Sequence, residues 1–286
     1  MEKQHAFKLI ECPRDAMQGL EQFVPTDLKV EYLNLLLEVG FNTLDFGSFV
    51  SPKAIPQMQD TATVLSRLRL NSKTKLLAIV ANQRGVEEAV KYDEITYLGF
   101  PFSVSETFQQ RNTNSSIQES LSTVEQMLEV CQRNNKEAVV YLSMGFGNPY
   151  GDEWSPELLS NWAHELVERG ATILSLSDTI GIAQPEQIDS LYRYLAAELP
   201  NTEIGLHLHS TPTSWKEKME AAYLAGCRRM DGALKGFGGC PMATDKLTGN
   251  MPTELMIEYL QDKGEDLQLD LQKWQEAMLF STKIFT

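Results

Sequence analysis

The sequence predicts an α/β fold, a (β/α)8 TIM barrel with a C-terminal helical extension, on three observations. A short β-branched or apolar run, a loop and a longer amphipathic stretch recur about eight times. No linker-like or low-complexity stretch interrupts that alternation. The 286 residues, 42% of them hydrophobic, can bury a sizeable core and match the usual length of one barrel. A doubly wound open sheet uses the same alternation, but count and length favour the closed barrel. A single domain over residues 1–286 is expected, with 265–286 as the helical extension.

The elements follow in order. Strands are expected at Ala6–Cys12, Thr43–Ser48, Lys75–Ala81, Glu94–Pro101, Glu137–Gly145, Ile173–Thr179, Glu203–Ser210 and Arg229–Gly236. A helical candidate follows each strand, the clearest being Thr26–Val39, Ser116–Asn134, Ser155–Arg169, Pro185–Leu199, Ser214–Ala225 and Pro252–Lys263. Several open on Ser or Thr at the cap or on Pro in the first turn, where an oxygen or a fixed φ suits an unpaired helix start. The third helix, near Gly85–Lys91, is short, and the tail from Leu267 to Thr286 reads as a further helix covering the barrel.

A formal charge of −14 with no Lys/Arg run argues against nucleic acid and anionic membrane as partners and leaves small-molecule chemistry. Apolar runs such as Lys75–Ala81 are far short of a membrane span, and the start of the chain lacks a signal-like core, which predicts a cytoplasmic protein. Cys12, Cys131, Cys227 and Cys240 are widely spaced, as reduced thiols are.

Barrel active sites form at the C-terminal ends of the strands. Arg14 and Asp15 follow strand one, Asp45 lies in strand two, Asp178 ends strand six, His207 and His209 end strand seven, and Cys240 and Asn250 follow strand eight. Residues i and i+2 of a strand share a face, so His207 and His209 present two imidazoles to one point in the lumen. A bare HxH is as often a pair of hydrogen-bonded core histidines, but the carboxylate and amide partners favour an ion. Two imidazoles, Asp15 and the Asn250 amide oxygen make a mixed, fairly hard donor set that suits Mg²⁺ or Mn²⁺ and also admits Zn²⁺. Arg14 beside Asp15 suits the stabilisation of an enolate oxygen, against the plainer reading of a surface ion pair. Cys240 sits in KGFGGCPMA, Lys235 to Ala243, a composition for a loop that changes shape as it closes. An ordinary turn with an inert thiol is its bland alternative.

Read together, the segments IECPRDAMQ, SFVSPKAIPQM, SLSDTIG, HLH and GFGGCPMA followed by GN resemble the 3-hydroxy-3-methylglutaryl-CoA lyase family of the DRE-TIM metallolyases, from about Ile10 to Leu260. That resemblance implies a (β/α)8 barrel with a Mg²⁺ or Mn²⁺ cofactor on Asp15, His207, His209 and Asn250. It also implies enolate stabilisation by Arg14, proton transfer by Cys240, acid–base chemistry at Asp178, and substrate contacts at Gln18 and Ser48. Four departures bear on substrate preference and rate more than on reaction class. Ile10 stands where the family carries Glu, with Glu11 moved to the opposite strand face. Asp45 replaces Glu, Ser210 replaces Asp, and the stretch from Cys240 to Asn250 is one residue longer.

The activity so implied is cleavage of 3-hydroxy-3-methylglutaryl-CoA, or a close 3-hydroxyacyl-CoA, into acetoacetate and acetyl-CoA, with Asp178 or Asp45 as base. A homo-oligomer such as a dimer is compatible with this reading. The rivals are a related isopropylmalate- or citramalate-type synthase, which usually carries extra C-terminal regions, an amidohydrolase-like barrel, whose HxH follows the first strand, and a catalytically inactive metabolite-binding barrel.

Overall fold

The computed structural model describes residues 6–239 and 248–285. Among these residues, eight parallel strands close on themselves: β1 (Lys8–Glu11), β2 (Thr43–Ser48), β3 (Lys75–Ile79), β4 (Ile95–Ser103), β5 (Glu137–Ser143), β6 (Ile173–Asp178), β7 (Glu203–Ser210) and β8 (Arg229–Gly232). Each pairs with its neighbours in sequence, and the β1–β8 pairing seals the barrel. A two-residue strand, β9 (Gly249–Asn250), runs antiparallel to β7 and sets Asn250 beside His209.

Alternation along the strands divides two apolar layers. Leu77 and Ile79 of β3, Val139 and Tyr141 of β5, and Ile173 of β6 pack in a small lumen cluster. Leu76, Ala78, Val140 and Leu174, one residue out of phase, face the large layer beneath the helices. This is why the strands read as nearly continuous apolar runs: both faces are buried.

The helices are α1 (Pro13–Gln18), α2 (Thr26–Val39), α3 (Thr61–Leu65), α4 (Gln83–Ala89), α5 (Glu106–Thr113), α6 (Ile117–Arg133), α7 (Pro156–Glu168), α8 (Pro185–Glu198), α9 (Trp215–Ala225), α10 (Thr253–Asp262) and α11 (Leu271–Phe280). Two of the expected serine caps do their work, while Ser214 makes no side-chain cap bond on α9. Ser116 and Glu119 form a reciprocal capping box on α6, and Ser155 accepts the Leu158 N–H on α7. The tail helix α11 docks on α2, where Trp274 meets Phe41 edge-on at 5.6 Å and the Asp270 N–H bonds Val39 O. No helix among the described residues is long and apolar enough to cross a membrane.

Three local expectations are corrected. Residues 13–18 have no helical periodicity to read, yet they form α1, because Pro13 fixes φ at the first helical position. Strand eight stops at Gly232, and Leu234–Gly236 is a 3₁₀ turn in which Lys235 takes a positive φ of 57°. Strand four starts one residue later than expected and runs on to Ser103, carrying the chain toward α5.

Candidate active site

Register brings the polar groups to one mouth. In β2 the pairing slips between Asp45 and Gly47, so Asp45 pairs with Leu77 and Ser48 with Ile79, both lumen residues. The bulge at Phe46 therefore points two residues three apart to the same side, which regular alternation forbids. On β7 no bulge is needed: His207 and His209 are i and i+2, with ring centroids 5.2 Å apart.

Arg14, at the start of α1, is almost wholly buried and almost wholly spent on neighbours. Its Nε donates to Asp45 Oδ1 and Oδ2 at 3.2 and 3.1 Å, and Nη2 donates to Oδ2 at 2.5 Å. Its Nη1 donates to Asp15 Oδ1 at 2.8 Å and to Gln18 Oε1 at 2.9 Å. Burial alone would weaken the guanidinium's hold on its proton, but Asp45 and Asp15 reverse that, and Arg14 stays charged. Burial lifts Asp45 to about 6 against the pull of Arg14. For Asp15, burial is outweighed by Arg14, the two histidines and the 2.8 Å bond from Asn250 Nδ2 to Oδ2, which bring the carboxyl down to about 2. Asp15 is thus a carboxylate at any working pH.

The imidazoles are oriented from behind. His209 Nδ1 lies 2.9 Å from the Thr179 carbonyl oxygen, which can only accept, so Nδ1 carries the proton. That leaves Nε2 as a lone pair, and it is buried with no hydrogen-bond partner among the described residues. Burial, then His207, hold His209 down at about 4, so the ring is neutral. His207 Nδ1 lies 3.0 Å from Asp231 Oδ2. Burial disfavours the charged ring of His207, but the hydrogen bond and charge of Asp231 prevail and raise it. One ligand atom from each of Asp15, His207 and His209 lies within 4.8 Å of the other two. With Nδ2 of Asn250 spent on Asp15 and on Phe237 O, its Oδ1 is the atom left to offer a cation. An orphaned buried nitrogen beside a carboxylate, a second imidazole and an amide oxygen is a donor set that fits a divalent ion of the Mg²⁺ or Mn²⁺ kind.

These groups open on a cavity of about 360 Å³ whose lining includes Arg14, Asp15, Gln18, Ser48, His207 and His209. Tyr141 forms part of its wall and meets the His207 ring edge-on at 5.8 Å. A second cavity of about 270 Å³ shares Ser48, Val50, Ser51 and Asn82 with the first, so the two form one groove leading out past Arg84.

Two expected residues sit otherwise. Asp178 does not line the cavity, although its neighbours Ser177 and Thr179 do. Its Oδ1 accepts the Ile182 and Ala183 N–H groups, and its Oδ2 accepts Lys218 Nζ at 2.6 Å. With three donors and no exposed side-chain surface, Asp178 anchors the β6–α8 loop. Asp45 lies behind Arg14 and also misses the lining, which makes it the arginine's brace. Cys240 lies outside the described residues, but the stem leading to it is clear. Gly238, at φ 93°, packs so closely that a Cβ would come within 2.7 Å of Asp15 O and 2.9 Å of Asn250 Nδ2. Glu11, on the outer strand face as its displacement predicts, accepts Leu234 N–H at 2.9 Å and Thr253 Oγ1–H at 2.6 Å. It therefore ties β1 to both stems of the glycine-rich segment. Sequence reasoning missed Asp231 and Tyr141. Alternation with Arg229 would have put Asp231 in the lumen had strand eight carried any motif to draw attention to it.

The chain is similar throughout its length to known proteins. The HMGL-like family model matches residues 7–279. A cytoplasmic 3-hydroxy-3-methylglutaryl-CoA lyase of Rattus norvegicus is 32% identical over 279 residues, spanning 96% of this chain and 80% of that protein. The crystal structure of an HMG-CoA lyase of Bacillus subtilis superposes with a TM-score of 0.91 at 32% identity, covering 98% of this chain and 94% of the other. An HMG-CoA lyase of Acinetobacter baumannii, solved in complex with coenzyme A and 3-methylmalate, gives 0.90 at 27% identity, with 99% and 93% covered.

Proposed function

We propose that this chain, which belongs to the HMGL-like family, is a carbon–carbon lyase that cleaves 3-hydroxy-3-methylglutaryl-CoA, or a close 3-hydroxyacyl-CoA, into acetoacetate and acetyl-CoA. The observation that carries the reading is the buried meeting of Arg14, Asp15, His207 and His209 on one cavity wall. A divalent ion held by Asp15, His207, His209 and Asn250 would supply Lewis acidity that lowers the pKa of a substrate hydroxyl. The substrate hydroxyl releases its proton to water; the resulting alkoxide becomes a ketone, the bond to the thioester methylene breaks, and the enolate left behind must take up one proton at carbon. Arg14, braced by Asp45 and Gln18, is the fixed positive charge on the cavity wall available to that enolate oxygen. Cys240 is the proton donor we assign, on its place in the glycine-rich segment and not on any position in the structure. Gln18 and Ser48 line the space the acyl group would fill.

The thioester's phosphates need cations in a chain of net charge −14. Arg111 on the first cavity and Arg84 on the second are exposed along the groove and suit that need. The relative solved with coenzyme A supports an acyl-CoA as the substrate class. The test is incubation of the purified protein and Mg²⁺ or Mn²⁺ with a panel of 3-hydroxyacyl-CoA thioesters, with products identified by mass. Equimolar acetoacetate and acetyl-CoA from the six-carbon branched substrate is expected. A protein that leaves it intact while cleaving another thioester has a different substrate.

A further inference from the structure

Behind the site just described, Cys12, His207 and Asp231 form a second trio in which one ligand atom of each lies within 4.8 Å of the others. Cys12 is 1% and Asp231 3% exposed. The Cys12 N–H donates to Gly232 O at 2.9 Å, which holds the residue against β8. Its Sγ has one polar contact, a loose one of 4.0 Å to Ile10 O. Sulfur, imidazole nitrogen and carboxylate oxygen together are the donors of a borderline-soft ion, and about 2.0–2.3 Å bonds place such donors roughly 3.3–3.8 Å apart. The trio needs to contract by no more than about 1.5 Å to reach that spacing.

We propose that Cys12, His207 and Asp231 bind a thiophilic divalent cation, Zn²⁺ or its analogue Cd²⁺, and that this ion and the catalytic one exclude each other. The exclusion follows from the shared ring. The catalytic ion uses His207 with Nδ1–H turned to Asp231, whereas an ion among the deeper trio takes the nitrogen that faces Asp231. A ring carrying cations on both nitrogens must give up its last proton, which a neutral imidazole resists. Binding exchanges the thiol proton, which leaves to solvent, for the metal–sulfur bond, and shifts the His207 Nδ1 proton to Nε2. The antagonism rests on the catalytic-ion reading above, while the sulfur ligation stands without it.

The test is a Cd²⁺ titration of the full chain, read by the ultraviolet thiolate-to-metal charge-transfer band, in the wild type, Cys12→Ala, Cys12→Ser and Cys240→Ser. The band should saturate at one ion per chain in the wild type and in Cys240→Ser, and vanish in both Cys12 variants. Excess Mg²⁺ should move the Cd²⁺ midpoint up at least tenfold, and Zn²⁺ should inhibit turnover of the wild type at least tenfold more tightly than that of Cys12→Ala. A band that survives in a folded Cys12 variant, or is lost only in Cys240→Ser, overturns the site. A midpoint indifferent to Mg²⁺ overturns the exclusion. A wild type with the band and without lyase turnover defeats the functional reading and leaves the thiophilic site standing.

Discussion

Asp231 shows what one residue does through another. It is not among the residues lining the cavity, yet it fixes which nitrogen of His207 would face an ion, and carboxylate partners of this kind typically change metal affinity by about 10–100-fold. Asp231→Ala should accordingly raise the Mg²⁺ or Mn²⁺ concentration for half-maximal activity by about that factor, measured by metal titration of turnover. Arg14 is the residue proposed to act on the enolate itself. Arg14→Lys keeps the charge but loses the fork that grips Asp45 and Gln18. Turnover should fall by about two to three orders of magnitude with little change in KM; a variant within threefold of wild-type kcat removes Arg14 from the enolate. Residues that owe their place to alternation alone, His207 and His209, were legible in the sequence. The turn of Asp178 toward Lys218 and its own loop was not, because a strand-end aspartate looks the same whether it faces a cavity or caps its own loop.

Among elements, β1 and the stems around the glycine-rich segment depend on Glu11. Burial raises its carboxyl to about 8, against the pull of its two donors, Thr253 and Leu234. The sign is definite: above its ordinary value of 4.5 the unfolded chain releases this proton while the folded chain keeps it until about 8. Stability should fall as pH rises through that window and level off beyond it, by an amount on the order of a few kcal/mol. Glu11→Gln should be more stable than the wild type at pH 8.5 and close to it at pH 4.5, by urea unfolding at both; equal slopes would refute the buried proton. Helices with a capped start and three or more turns were readable. The six-residue α1 was too short for any period, and the β2 bulge leaves no mark in composition, although it is what turns Ser48 to the lumen.

The whole molecule is a closed ring of strands with the candidate site at one end and a net charge of −14, so an anionic thioester must be drawn in by local cations. Arg111→Ala should raise KM roughly tenfold and leave kcat within twofold, and the wild-type KM should climb with added salt. Steady-state kinetics at two ionic strengths checks both. Architecture was legible because eight βα units are hard to mistake, whereas the end of strand eight was not, since Gly232–Gly236 has no Pro, Asn or Asp to mark the turn. The account stands or falls on one measurement. Strip the protein of divalent ions with a chelator, add 3-hydroxy-3-methylglutaryl-CoA, then restore Mg²⁺ or Mn²⁺ and follow acetoacetate and acetyl-CoA by mass. The prediction is near-zero turnover without the ion and equimolar products with it; full turnover in the metal-free protein, or none after restoration, would contradict it.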